Sequence, residues 1–84
     1  ELHPLSLVDL EHYVQHRLSL AGSSGRPHFT RWALRTLHHA SRGIPRIINN
    51  LCDKALLAAF VRESDEVTFW DMRRAIREFK SLTE

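Results

Sequence analysis

The residues Ser41-Arg42-Gly43-Ile44-Pro45-Arg46-Ile47-Ile48-Asn49-Asn50 have the types and spacing to handle an anion. Gly43 permits a backbone bend at the point where a preceding helix would end. Pro45 fixes φ and lacks an N–H, which suits the first turn of a new helix. Arg46 follows it, a permanently charged planar fork at the helix end where unpaired N–H groups concentrate positive potential. A cation there works against the helix dipole, so local helix stability does not explain it, whereas an anion supplied from elsewhere would. The alternatives are a plain surface position or a salt bridge to Asp53, which stands two turns along and is a long reach.

Other residues offer weaker chemistry. Of the histidines His3, His12, His16, His28, His38 and His39, only His12 and His16 stand one turn apart with a metal-chelating spacing, and neither a His-Glu-x-x-His motif nor a second thiol supplies the remaining ligands. His38 and His39 point about 100° apart on a helix and do not chelate one ion easily. No metal site is expected. Cys52 sits on an apolar stripe with no charge arrangement to lower its pKa, as a small buried hydrophobe would. Trp70 with Arg73, Arg74 and Arg77 reads either as an ordinary basic helix face or as an interaction surface with Arg–Trp stacking, for another domain or a phosphate backbone. Asp71 and Glu78 offset that charge. Gly22-Ser23-Ser24-Gly25 tempts a phosphate-loop reading, but no Gly-Lys-Ser/Thr follows, and a flexible connector fits the composition.

Four helices position these residues. Ser6 and Asp9 have the spacing of a capping box, with Leu5 and Leu10 able to staple the first turn. From Leu7 to Ala21, the residues Leu7, Leu10, Val14, Leu18 and Ala21 make one apolar stripe. Thr30 caps a second helix from Arg31 to Ala40, with Ala33, Leu34, Leu37 and Ala40 inward and Phe29 packing on Leu34. The third runs from Pro45 to Val61, with Ile47, Ile48, Leu51, Cys52, Ala55, Leu56, Ala58, Ala59 and Phe60 making it apolar over much of its circumference, the mark of a central helix. After a polar connector, Thr68 and Asp71 repeat the capping-box spacing, Val67 and Met72 can staple the turn, and Phe69, Met72, Ile76 and Phe79 face inward. Nothing alternates with a period of two, so no sheet is expected, and no repeat is strong enough for a solenoid. The fold class that follows is all-α, a small four-helix bundle.

Length and charge agree. Eighty-four residues, 43% hydrophobic, support one domain with a small core. The formal charge of +2 is too slight for a general nucleic-acid-binding surface. The lone cysteine excludes an internal disulfide, and no apolar run approaches the ~20 residues of a membrane span. From the abrupt start without a methionine, the expectation is a piece of a longer protein.

Gly43-Ile44-Pro45-Arg46-Ile47-Ile48-Asn49-Asn50-Leu51-Cys52-Asp53 resembles the sensor-2 region in the helical lid domain of AAA+ ATPases, specifically the general-secretion-pathway protein A (ExeA) and MSHA pilus-biogenesis type. Flanking segments agree: Pro4-Leu5-Ser6-Leu7 with His16-Arg17-Leu18, Phe29-Thr30, and Ala55-Leu56-Leu57-Ala58-Ala59. Similar Gly-x-Pro-Arg segments occur in the lids of branch-migration motors. The resemblance implies a four-helix lid that follows a larger nucleotide-binding domain. It implies that Arg46 reaches the β/γ-phosphates of ATP, that Ile44 and Pro45 pack near the adenine, and that Mg²⁺ is held mainly by the other domain. The implied partners are that core domain and neighbouring subunits of an oligomer. The implied location is cytoplasmic, with the inner face of a bacterial membrane an open alternative for the full-length protein. No catalytic residue is expected in this stretch, which lacks a Walker A segment. The alternatives from the residues alone are a nucleic-acid-binding helical domain and a protein-interaction bundle.

Overall fold

A computed structural model describes residues 4–20 and 27–83. The elements in order are α1 (Leu7–Leu20), β1 (His28–Phe29), α2 (Arg31–Ser41), α3 (Pro45–Val61), β2 (Glu66–Val67) and α4 (Phe69–Thr83). The Gly22–Gly25 connector and Ala21 lie outside the described residues.

The helices begin where capping chemistry allows. The Ser6 hydroxyl accepts the Asp9 N–H at 3.1 Å, and Thr30 accepts that of Ala33 at 3.2 Å. At α4 the capping box closes in both directions: Asp71 N–H donates to Thr68 Oγ1 at 3.3 Å, and the Asp71 carboxylate takes the Thr68 N–H at 2.9 Å. Helix α3 starts at Pro45 and ends in a Schellman motif, with Glu63 N–H on the Phe60 carbonyl and Ser64 N–H on that of Ala59.

The core is one cluster. Leu10, Val14 and Leu18 of α1 meet Leu34 and Leu37 of α2, Ile48, Leu51 and Ala55 of α3, and Met72 and Ala75 of α4. Helix α3 contributes the most buried positions and lies at the centre, as its broad apolar stripe implied. Phe60 is a correction to that stripe: it is 77% exposed. It stands about 120° around the helix from Ile48, on the side that carries the exposed Leu57.

The expectation of no sheet also needs correcting. His28 and Phe29 pair in parallel with Glu66 and Val67, and Thr30 N–H reaches the Val67 carbonyl at 3.1 Å. Two residues per strand are too few to leave a period-two signal. Their effect is large nonetheless, because each strand leads directly into a threonine-capped helix, so the N-termini of α2 and α4 are brought side by side in matched register.

Candidate functional site

The turn from α2 to α3 is built by four local bonds. Arg42 adopts a left-handed conformation (φ 56°) and its N–H closes on the His38 carbonyl at 2.9 Å. The buried Ser41 hydroxyl accepts the Gly43 N–H at 3.2 Å and donates to the His38 carbonyl at 3.4 Å. The Ile44 N–H returns to the Ser41 carbonyl at 3.1 Å.

Gly43 sits at φ +76°, and a Cβ there would collide with the Leu5 carbonyl oxygen and lie 2.8 Å from the Leu5 nitrogen. Two separate constraints therefore require glycine. The Leu5 N–H donates to the Gly43 carbonyl at 2.8 Å, and the Leu5 carbonyl lies 2.8 Å from His38 Nε2. A carbonyl only accepts, so the latter contact places the ring proton on Nε2. The segment before α1 is thereby tied to the turn that presents α3.

At the head of α3, Ile44 occupies the N-cap position with no side-chain cap bond, and Pro45 fills the first helical position. Arg46 is exposed, and no hydrogen bond or ion pair holds its guanidinium among the described residues. The Asp53 alternative falls away, because Asp53 lies 3.3 Å from Arg17 of α1. A cation without a partner among the described residues and uncapped helix N–H groups at the same helix end are two kinds of donor that an anion can use. Ile44, 36% exposed, and the half-buried Pro45 add an apolar edge.

The basic group on α4 divides differently from the sequence reading. Arg73 lies over the ring of Phe69 at 5.7 Å rather than over Trp70. Trp70 meets Phe69 edge-on at 5.0 Å. Arg74 pairs with Glu78 at 3.6 Å, while Arg73 and Arg77 have no carboxylate partner among the described residues. Asp71 does not offset this face. It is 5% exposed and takes Arg62 in a bidentate pair, Nε to Oδ1 at 2.9 Å and a second nitrogen to Oδ2 at 2.6 Å. Burial pushes its carboxyl up, but the bonds from Arg62 and Thr68 outweigh that and hold it below the usual carboxylate range.

Sequence reasoning missed the corresponding face of α2. Trp32 is 62% exposed and Arg35 lies 5.5 Å from its ring. A signal was present: Thr30-Arg31-Trp32-Ala33-Leu34-Arg35 and Thr68-Phe69-Trp70-Asp71-Met72-Arg73 share Thr, Trp, a large aliphatic residue and Arg in step. The strand register, His28 with Glu66 and Phe29 with Val67, has the same offset as this match.

Among the remaining chemistry-bearing residues, His12, His16 and His39 are exposed, and His28 lies 3.3 Å from Glu66. Cys52 is 2% exposed, and burial pushes its thiol up to about 12, with Arg17 opposing. It stays protonated at neutral pH and is no nucleophile. No helix among the described residues is long and apolar enough to cross a membrane.

No family model matches the chain. No solved structure matches it either. A curated relative, general secretion pathway protein A of Aeromonas hydrophila, is 46% identical over 81 residues. That alignment takes in 96% of this chain but only 15% of the relative. The chain is similar to one stretch of general secretion pathway protein A, and its compact all-α bundle is the fold of that stretch's counterpart here.

Proposed function

We propose that this chain is the helical lid of an AAA+ ATPase that serves secretion or pilus assembly, with Arg46 as its sensor-2 arginine. The observation that carries the reading is an exposed guanidinium with no partner among the described residues, held at the uncapped start of the central helix. Such a group is poorly satisfied alone and well satisfied by phosphate. The secretion assignment draws on the printed name of the relative and on the resemblance around Gly43–Asp53. A cytoplasmic location and an oligomeric full-length protein belong to the same proposal.

The residues present fit the phosphates of ATP. Arg46 would hold the β/γ-phosphate oxygens, with the first free N–H groups of α3 behind it, while Ile44 and Pro45 would border the base. The nucleotide supplies the negative charge and the bond to be hydrolysed, with Mg²⁺ held by a larger domain. The role of Arg46 is to bias the lid toward a closed position while a terminal phosphate is in reach, and to lose that grip when it is gone. Because α3 is the core helix, a pull on Arg46 moves the bundle as one body. The tie from Leu5 to Gly43 and His38 would pass that movement to the chain preceding α1.

A titration of the ¹⁵N-labelled chain with tripolyphosphate tests this directly. Shifts should concentrate at the Arg46 side chain and at the amides of Arg46 and Ile47, and Arg46→Ala should remove them. Shifts confined to the arginines of α4 would overturn the assignment.

A further inference from the structure

The face shared by α2 and α4 is a second feature, and none of its groove-lining residues belongs to the turn that carries Arg46. Between the two helices runs an open groove of about 400 Å³, lined by Thr36, Phe69, Arg73, Ile76, Arg77 and Lys80. Its floor is apolar, from Phe69 and Ile76, and its wall is a line of cations one turn apart on α4.

Neither tryptophan lines the groove, but each projects to solvent beside it: at 100° per residue, Trp32 lies about 40° from Thr36 and Trp70 about 60° from Arg73. The parallel pairing of β1 with β2 sets them at equivalent positions, and they are 62% and 71% exposed. The lining is also one-signed: Arg73, Arg77 and Lys80 border the groove with no acid among its lining residues, and Glu78 is the exposed carboxylate of α4. Asp71, the other acid of α4, is turned inward and committed to Arg62.

We infer that the α2/α4 groove docks an acidic segment of a partner protein that also carries large apolar side chains. Charge complementarity selects the acid, because Arg73 and Arg77 have no carboxylate of their own among the described residues. The apolar floor between those cations selects side chains that a phosphate backbone lacks. Exposed Trp and Arg around a groove are also the residue types that dominate binding energy at protein interfaces. A nucleic acid would need cations spread along a longer track than the roughly 10 Å that Arg73, Arg77 and Lys80 span on one helix. This inference stands apart from the role of Arg46.

The chain contains its own reporter, since its two tryptophans are these two. The probe is a tryptophan-free amphipathic peptide of alternating Glu and Leu blocks, with a control in which every Glu is Gln. Three parallel arms use the control peptide, single-stranded oligothymidylate, and vesicles of phosphatidylglycerol with phosphatidylcholine.

The acidic peptide should blue-shift the tryptophan emission saturably and more weakly at high salt. The double variant Arg73→Glu with Arg77→Glu, checked by circular dichroism for an intact fold, should lose at least about tenfold in affinity. Glu63→Gln, in the turn after α3, should bind as the parent does. If the charge-reversed variant fails to fold, Arg77→Gln alone should still weaken binding severalfold. Equal binding of the Glu and Gln peptides, affinity unchanged by charge reversal, or a stronger response to the oligonucleotide or the vesicles would each overturn the inference.

Discussion

Leu5 and Gly43 meet backbone to backbone, the Leu5 N–H donating to the Gly43 carbonyl at 2.8 Å. That approach leaves no room for a side chain at position 43, whose φ of +76° already disfavours one. Gly43→Ala should therefore cost about 2–4 kcal/mol, combining left-handed strain with displacement of the Leu5 backbone. Urea unfolding measures it. A loss under about 1 kcal/mol would mean that the turn relaxes without depending on this contact.

Asp71 should govern the acid limb of stability. Its pKa is lower in the folded chain than in the unfolded one, so its contribution is complete above about pH 4 and fades as pH falls through the lower folded value. Asp71→Ala should lose about 1–2 kcal/mol at neutral pH, because the reciprocal cap with Thr68 goes with it. The two proteins should then draw together in stability as pH falls below the usual carboxylate range. Denaturant midpoints at successive pH values give the comparison, and parallel curves would contradict it.

Glu63 is a non-glycine residue at φ 57°, in the position of the Schellman turn after α3 that glycine ordinarily fills. Its side chain is exposed and makes no bond in the turn. Glu63→Gly should raise stability by about 0.5–1 kcal/mol, read as a higher melting temperature with the same circular dichroism spectrum. A lower melting temperature would show that the unfolded chain gains more from glycine than the turn does.

Much of this was legible in local chemistry. Proline at the first position of α3, threonine before α2 and α4, and the apolar stripes set the helices, because caps and periodicity act over a few residues. What could not be read locally was pairing across distance. The Leu5–His38 and Leu5–Gly43 contacts, the union of Arg17 with Asp53, and the parallel strands each join segments far apart in the chain. Asp71 is the instructive case. By composition it offsets the arginines of α4, yet it is turned inward onto Arg62, which leaves the Arg73–Arg77 face more positive than that composition suggests. The place of Arg46 at the head of α3 was legible because Gly43 and Pro45 fix where that helix begins, whereas its lack of a partner among the described residues is a property only coordinates can give.

On the proposal that the Aeromonas hydrophila relative is itself an ATPase, the most direct measurement replaces its matching stretch with this chain and records ATP turnover with and without Arg46→Ala. The Arg46 graft should retain turnover, and the alanine variant should fold equally well but turn over at least about a hundredfold more slowly, as loss of a phosphate-stabilising arginine dictates. The isolated chain should hydrolyse nothing. Equal rates for the two grafts, or Arg46-dependent turnover by the isolated chain, would contradict the assignment of Arg46 as a sensor of a triphosphate bound elsewhere.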